Sequence, residues 1–326
     1  MIPVIDIFAG PGGLGEGFSS LRSQGQEPAF RVCLSIEKDR DAWETLRLRC
    51  FFREFGDAAV PEAYYQHLRG EISREELYQT HPEELRKAEL IAVNAELGAQ
   101  QKTATEIRAR IKRALGGRKG FVLIGGPPCQ AYSTVGRSRN KGNSAYVPEK
   151  DERSTLYIEY LQILADHQPS VFIMENVKGL LSARLSKQPL FTRMLEDLSY
   201  PFVALRREKR SCTGQARRLR YRLFSLVEPG AYAPGVNKNF VIQAEKHGIP
   251  QARHRVIILG IREDLGDLQP PQLVPSSFVS VSCALDGLPT LRSGVSKAKD
   301  GPEEWLRILK SIQDCVFRAN PPGDSD

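Results

Sequence analysis

A β-branched N-terminal run followed by a cluster of glycines constrains the fold more than any other feature of this chain. Residues 2–8, Ile-Pro-Val-Ile-Asp-Ile-Phe, predict a strand, and Gly10, Gly12, Gly13 and Gly15 come directly after it. A helix-compatible stretch follows. Glycines at such a turn let the backbone approach a ligand closely and leave the amides of the helix start exposed. The chain therefore opens with a strand, a tight turn and a helix that together suit a nucleotide-like ligand.

Later apolar runs, separated by helical segments, extend this unit into an α/β fold. The predicted strands lie at residues 30–36, 121–124, 171–174 and 256–259. The predicted helices lie at residues 40–52 and 156–166, with a short one near 303–315. Strands that alternate with helices favour a mostly parallel sheet. Segment 202–227 has strand-like ends around a very basic middle, and its ends are predicted as strands.

A charge-dense stretch from about Pro61 to Gly117 interrupts this alternation. Its apolar residues recur at helical spacing and predict two or more amphipathic helices between Glu71 and Ala114. We interpret residues 58–119 as a solvated helical insertion in a catalytic domain that spans residues 1–270. Residues 271–326, rich in Pro, Ser and Gly, are expected to begin an incomplete C-terminal target-recognition region or a linker.

The bulk composition excludes several classes of protein. The chain has 46 Lys and Arg against 39 Asp and Glu, a net charge of +7 that permits a polyanionic partner. None of its six cysteines forms a C-x-x-C pair, so we expect neither a metal site nor a disulfide scaffold. No apolar run approaches the roughly 20 residues that cross a bilayer, and no signal peptide is apparent. We expect a cytoplasmic protein without a membrane partner.

Cys129 is the best candidate for a reactive group. It follows the third predicted strand in the sequence Gly-Gly-Pro-Pro-Cys-Gln, at residues 125–130. In open α/β sheets, ligands bind beyond the carboxyl ends of the strands. Proline fixes φ, so two prolines stiffen this turn and aim the thiol of Cys129. The other five cysteines are interpreted as small buried hydrophobic residues.

Two acidic residues end neighbouring predicted strands. Glu37 follows the second strand and is placed to accept hydrogen bonds from ribose hydroxyls. Glu175 ends the strand at 171–174, which puts it on the same sheet edge as Cys129. An apolar strand beside Glu175 could raise its pKa enough for acid chemistry, although a glutamate there could also cap the next helix.

A pair of arginines precedes the last predicted strand. Arg253 and Arg255 are two residues apart on an extended segment, so their side chains should point the same way. They could fork onto a carbonyl, a phosphate or Glu175. Taken alone, the two arginines would fit a solvated surface equally well.

The ordered set of motifs resembles the DNA (cytosine-5) methyltransferase family. The matching residues are Asp-Ile-Phe-Ala-Gly-Pro-Gly-Gly at 6–13, Gly-Pro-Pro-Cys-Gln at 126–130, Glu-Asn-Val at 175–177 and Gln-x-Arg-x-Arg at 251–255. The resemblance covers roughly residues 1–270. It implies a Rossmann-like S-adenosylmethionine-dependent methyltransferase fold with helices on both faces of the sheet. It also implies a bacterial enzyme of restriction–modification or phage defence.

The resemblance implies a set of residues around S-adenosyl-L-methionine. Glu37 would bind the ribose, Asp57 the adenine amino group, and Pro128 would pack near the methionine part. The remaining residues that would surround the cofactor are Phe8, Ala9, Gly10, Gly12, Gly13, Leu14 and Leu156.

The resemblance also implies covalent catalysis on a cytosine flipped out of double-stranded DNA. Cys129 would add to C6, Glu175 would hold a proton at N3, and Arg253 and Arg255 would orient the base. Residues 130–154 would form a loop that closes over that base. The residues expected to contact DNA are Gln130, Ser133, Arg137, Arg139, Arg217 and Arg218.

Several alternatives remain open. A tRNA cytosine-5 methyltransferase would use the same scaffold, and the interval from Asp57 to Cys129 is longer than in compact family members. No credible target-recognition domain fits after Arg262, so the chain could be a catalytic fragment, or a partner chain could supply that domain. A non-catalytic relative would be expected to lack Cys129 or Glu175, and both are present. A Rossmann oxidoreductase is disfavoured because the glycines do not follow G-x-G-x-x-G.

Overall fold

The computed structural model describes residues 1–56, 59–98, 101–128, 156–185, 188–212, 219–288 and 301–313. The chain divides into two compact units, Met1–Phe278 and Val279–Asp326. The second unit contains two helices, Val281–Leu285 and Pro302–Gln313, the latter close to the helix predicted near 303–315. No helix in the described part of the chain combines the length and apolar character that spanning a bilayer would need.

The first unit is organised by an eight-stranded sheet. Its strands are β1 (Ile2–Ile7), β2 (Phe30–Glu37), β3 (Ala92–Asn94), β4 (Val122–Gly125), β5 (Val171–Val177), β8 (Tyr221–Phe224), β9 (Val241–Gln243) and β10 (His254–Arg262). A separate two-stranded hairpin is formed by β6 (Arg184–Leu185) and β7 (Gln188–Pro189). The order across the sheet is β3-β2-β1-β4-β5-β10-β8, with β9 paired to β10.

The sheet is parallel from β3 to β5 and antiparallel beyond β5. Strand β10 runs antiparallel to β5, β8 and β9. The predicted mostly parallel sheet is therefore confirmed, with an antiparallel edge that the apolar runs alone did not indicate. Because β10 reverses direction, the start of β10 meets the end of β5, and His254 and Arg255 come to the edge where Asn176 and Val177 lie.

Helices cover both faces of the sheet. They are α1 (Gly13–Ser20), α2 (Arg40–Arg53), α3 (Glu62–Leu68), α4 (Arg74–Thr80), α5 (Pro82–Ile91), α6 (Gln101–Leu115), α7 (Leu156–His167), α8 (Leu190–Ser199) and α9 (Pro201–Arg207). Side chains alternate between the two faces of β1. Ile5 and Ile7 pack with α6 and α7, whereas Val4 packs on the opposite face with Leu14 and Phe18 of α1. The Rossmann-like arrangement of helix, sheet and helix is confirmed.

The stretch predicted as a helical insertion is not purely helical. It contains β3, which pairs in parallel with β2 and extends the main sheet. Helix α6 then packs through Ile107 and Ile111 against the main core. Helices α4 and α5 form a smaller core with α2, centred on Phe51 and Leu77. Strand β3 and helix α6 therefore belong to the sheet and its main core, whereas α4 and α5 pack against α2.

The start of segment 202–227 is a helix, which corrects the strand prediction there. Pro201 occupies the first turn of α9, where the missing amide costs nothing, and Tyr200 precedes it with extended-like geometry. Ala204 and Leu205 are buried one turn later. Burial of this helical face outweighs the β-branched and aromatic character that suggested a strand. The other end of the segment, β8, is a strand as predicted.

Candidate active site

A cavity of about 270 Å³ lies at the carboxyl ends of β1, β2, β3 and β4. Four of the residues predicted around the cofactor line it: Phe8, Glu37, Pro128 and Leu156. The other lining residues were not predicted, and they are Ile36, Lys38, Asp39, Ala95, Leu97 and Gly126. The cavity combines apolar walls with a carboxylate at its edge, which suits a ligand with a flat apolar ring and a ribose.

The glycine turn after β1 is held against the end of β2. The Gly10 amide donates a hydrogen bond of 2.7 Å to Glu37 Oε2, and the Asp39 amide donates one of 2.7 Å to Glu37 Oε1. Two backbone amides therefore fix the Glu37 carboxylate. Each carboxylate oxygen keeps a lone pair for a ligand hydroxyl.

The turn itself requires glycine at Gly12. Its φ of 90° lies in the left-handed region, and a Cβ there would be 2.9 Å from Leu46 Cδ1 on α2. Phe8 also has a positive φ of 55°, which is uncommon for a bulky residue and is found mostly at functional sites. The backbone strain at Phe8 places its side chain in the cavity wall.

The end of β4 packs closely against β1 and β5. A Cβ on Gly125 would be 2.4 Å from the Ile7 carbonyl oxygen, and one on Gly126 would be 2.8 Å from Glu175 Oε2. The buried Asn176 side chain donates a hydrogen bond of 3.1 Å from Nδ2 to the Pro127 carbonyl. The glycine–proline turn is thereby anchored to β5 immediately before Cys129, which itself lies outside the described residues.

Glu175 pairs with one of the two predicted arginines. Arg255 Nε lies 2.7 Å from Glu175 Oε1, and about a quarter of each side chain is exposed. Arg255 Nη1 also donates to the His254 carbonyl at 2.8 Å. Arg253 is exposed and precedes the first residue of β10. Of the two arginines, Arg255 therefore contacts Glu175, and it does so through a single ion-pair contact and not through a fork.

A further ion pair, not predicted, supports this edge. His254 Nε2 lies 2.7 Å from Glu245 Oε1, and Glu245 belongs to the short helical turn that follows β9. The amide of Glu245 and its bond with His254 lower the pKa of the Glu245 carboxyl. The pair ties the turn to the start of β10, where Arg255 is held.

The residues at the end of β3 are the main functional signal that the sequence reasoning missed. The Asn94 side chain donates 3.0 Å hydrogen bonds from Nδ2 to the carbonyls of Glu37 and Lys38, which brings Ala95 and Leu97 into the cavity wall. Lys38 Nζ pairs with Glu96 Oε1 at 2.8 Å. The available signal was the apolar triplet Ile-Ala-Val followed by a turn and a helix, but a three-residue strand has almost no periodicity.

Several predicted site residues fall where the structure makes no statement. Asp57, Cys129, Gln130, Ser133, Arg137, Arg139, Arg217 and Arg218 lie outside the described residues. The neighbouring basic segment is partly described. Its arginines Arg207, Arg210 and Arg222 form ion pairs with Asp197, Glu159 and Asp267 respectively. These three charges are therefore engaged in ion pairs within the fold.

Comparison with known proteins finds DNA methyltransferases that are similar to this chain. Residues 98–203 match the model of the family described as C-5 cytosine-specific DNA methylase. A type II methyltransferase of Bacillus paralicheniformis is 30% identical over 277 residues, covering 80% of this chain and 54% of the relative. A DNA (cytosine-5-)-methyltransferase of Aeropyrum pernix is 30% identical over 151 residues, covering 46% of this chain and 29% of the relative.

A type II methyltransferase of Fusobacterium nucleatum is 24% identical over 262 residues, covering 80% of this chain and 47% of the relative. The chain thus spans about half the length of the curated relatives that match most of it. The matched family segment, residues 98–203, begins between β3 and α6. It includes Leu156, Glu175 and the turn that precedes Cys129.

Proposed function

We propose that this chain, which belongs to the DNA (cytosine-5) methyltransferase family, transfers a methyl group from S-adenosyl-L-methionine to C5 of cytosine in double-stranded DNA. One observation carries the proposal. The turn Gly126–Pro128 borders the cavity on one side and packs against Glu175 on the other, and Cys129 is the next residue. The proposed cofactor cavity and the Glu175–Arg255 pair therefore border the same turn, which leads into the predicted nucleophile in the sequence.

The cavity residues fit S-adenosylmethionine by their chemistry. Phe8, Ile36 and Leu97 offer apolar walls for an adenine ring, and the fixed Glu37 carboxylate offers acceptors for two ribose hydroxyls. Pro128 extends the lining toward the catalytic turn. The glycine turn at Gly10–Gly13 would leave room for the amino-acid end. When bound, the cofactor would supply a methyl group on a positively charged sulfur.

The mechanism that we propose for the protein groups is covalent catalysis on the base. The Cys129 thiolate forms a bond to C6, and the electron pair of the C5–C6 double bond moves to C5, which becomes nucleophilic. Glu175 holds a proton at N3 and offsets the charge that develops in the ring. Arg255 keeps the Glu175 carboxyl in position. After methylation a base removes the C5 proton, the electron pair restores the double bond, and the Cys129 thiolate leaves.

The substrate must reach this site outside the base stack, so we propose that the cytosine is flipped from the duplex. Residues 130–154 would cover it and contact the DNA through Gln130, Ser133, Arg137 and Arg139, with Arg217 and Arg218 on the backbone. We further propose a catalytic domain at residues 1–270 with residues 58–119 as its insertion, and a C-terminal region or linker from residue 271. The names of the relatives favour a role in restriction–modification in the bacterial cytoplasm, where the DNA lies.

The proposal is tested by incubating the purified protein with tritium-labelled S-adenosylmethionine and plasmid DNA, then locating methylcytosine by bisulfite sequencing. We expect label in DNA with the wild type and none with Cys129→Ala. The variant should still bind S-adenosylmethionine in calorimetry, because the substitution leaves the cavity residues Phe8, Glu37 and Leu156 unchanged. Label in tRNA and not in DNA would replace the substrate with RNA. Transfer that survives Cys129→Ala would refute the covalent mechanism.

A further inference from the structure

Asp6 is a buried acid that the proposed mechanism does not use. It lies in β1, two residues before Phe8, and none of its surface is exposed. Neither of its carboxyl oxygens has a hydrogen bond of normal geometry with the described residues. A buried polar group without a hydrogen-bond partner destabilises the folded protein. A buried carboxyl of this kind two residues from the cavity wall at Phe8 therefore indicates a functional role.

The Asp6 carboxyl lies under the first turn of α1. A Cβ on Gly15, the third residue of that helix, would be 3.1 Å from Asp6 Oδ2. The first amides of a helix are unsatisfied and carry partial positive charge. Gly12, the residue that precedes α1, offers no side chain to cap them. Asp6 is therefore placed to serve those amides from inside the fold, directly behind the glycine turn, whose Gly10 amide is bonded to Glu37 in the cavity lining.

Charged and titratable groups approach Asp6 from several elements. They are Glu37 from β2, Cys50 from α2 and Tyr160 from α7. The neighbouring strand β4 contributes only Val122, Leu123, Ile124 and Gly125. None of these groups is a cation, and Arg53, which acts on Cys50, is itself paired with Glu16.

The electrostatic balance favours a protonated Asp6. Burial, reinforced by the nearby Glu37 carboxylate and opposed by the Gly15 amide, raises the pKa of Asp6 to about 8. Burial also raises the pKa of the Cys50 thiol to about 12, and it raises the pKa of the Tyr160 hydroxyl. Cys50 and Tyr160 therefore stay neutral near pH 7. Asp6 is the group in this set whose charge a ligand beside Glu37 can change.

We propose that Asp6 is a positioning residue of the cofactor site, which keeps its proton while the cavity is empty and releases it to solvent when a cationic cofactor binds. This inference rests on the proposed function, because S-adenosylmethionine brings a sulfonium charge into the cavity that Glu37 lines. A positive charge there offsets the repulsion between Glu37 and an ionised Asp6. The ionised carboxylate then holds the amides of α1 more strongly than the acid does, which fixes the glycine turn around the ligand.

The test is calorimetric titration of the full chain with S-adenosylmethionine at pH 7, in two buffers with different ionisation enthalpies. The difference in heat gives the number of protons released. With a pKa of about 8, about nine-tenths of Asp6 is protonated at pH 7, so the wild type can release nearly one proton from this group. Asp6→Asn should release fewer protons by that amount. S-adenosylhomocysteine, which lacks the sulfonium charge, should cause a smaller release from the wild type.

The pH dependence of affinity provides a second readout. We compare the affinity of the wild type for S-adenosylmethionine with that of Asp6→Asn. Between pH 6 and 7.5 the ratio of the two affinities should rise by up to about tenfold per pH unit. The slope of the logarithm of this ratio against pH equals the difference in the number of protons released. Titration of the cofactor's own groups is common to both proteins and cancels in the ratio. A flat ratio together with equal proton release would overturn the inference.

Two variants of α1 keep the test decisive if Asp6→Asn folds poorly. Gly15→Ala should displace the Asp6 carboxyl, and it should weaken S-adenosylmethionine binding and reduce proton release. Gly17→Ala is the matched control, because Gly17 is exposed in the same helix and a Cβ there would have nothing within 4 Å. It should behave as the wild type. If Gly15→Ala and Gly17→Ala bind alike and release equal numbers of protons, Asp6 does not position the turn.

The outcome is separable from that of the proposed function, because no DNA is present. Proton release that depends on Asp6, without methyl transfer to DNA, would refute the DNA reaction and leave the cofactor inference standing. Methyl transfer with equal proton release from the wild type and Asp6→Asn would refute only the role of Asp6.

Discussion

Replacing Asp6 by Asn should change how the stability of the empty protein depends on pH. The side chain keeps its size and loses its titration. Asp6 has a folded-state pKa of about 8 against an ordinary value of 3.8, so between these values the folded protein retains a proton that the unfolded chain has lost. The group therefore contributes its full stability below pH 3.8, and that contribution is lost progressively as pH rises toward 8.

The magnitude follows from linkage. Each pH unit inside this window costs the wild type about 1.4 kcal/mol, because the two states differ by one bound proton. From pH 5 to pH 7 the unfolding free energy of Asp6→Asn should thus rise by about 3 kcal/mol relative to the wild type. A buried Asn amide carries its own desolvation cost of about 1–3 kcal/mol, but that cost does not depend on pH. The prediction is therefore how the difference in unfolding free energy changes with pH, and not its value at any one pH.

The assay is urea unfolding of both proteins at pH 5, 6, 7 and 8.5. Both carry Trp305→Phe in the second unit, so that the fluorescence comes from Trp43 in the first unit. Groups other than Asp6 titrate in both proteins and largely cancel in the difference. The difference should climb between pH 5 and 7 and level off above pH 8. A difference that stays constant within about 0.5 kcal/mol would show that Asp6 is ionised in the folded protein, since only then do the two states bind equal numbers of protons.

Three further predictions concern the site. Arg255→Ala should lower the methyl-transfer rate about 10²-fold or more and Arg253→Ala should lower it less, because only Arg255 pairs with the active-site glutamate; equal losses in tritium incorporation would contradict this. Glu37→Gln should raise the Kd for S-adenosylmethionine about 10–100-fold, since each hydrogen bond to a charged acceptor contributes about 1.5–3 kcal/mol, and calorimetry would show it. Asn176→Ala should lower kcat about tenfold with little change in the Kd for S-adenosylmethionine, because it removes the hydrogen bond that holds the turn before Cys129. A larger effect on this Kd than on kcat would mean that the turn acts mainly in cofactor binding.

The local sequence was enough to predict the site where a strand is long and ends in glycines or an acidic residue. Strand β1 has six residues and leads into glycines, and the chemistry of that turn follows from its backbone freedom. The same holds for Glu37, whose position at a strand end is legible from the sequence. The ion pair of Glu175 with Arg255 was only one of several options, because it depends on β10 running antiparallel to β5. Strand direction is decided by the long connection through β8 and β9, which local patterns do not report.

The cavity wall that follows β3 shows most clearly why part of the site could not be predicted from the sequence. Strand β3 has three residues, Ala-Val-Asn, and it lies inside a stretch whose charge and spacing are those of surface helices. Its place in the sheet comes from pairing with β2 and from the two hydrogen bonds that the Asn94 side chain gives to the end of that strand. Both are contacts across more than fifty residues of chain. A sheet edge can pair with a strand that is too short to show a sequence period. The cavity wall at Ala95 and Leu97 therefore follows from the pairing of β3 with β2 and cannot be predicted from the local sequence.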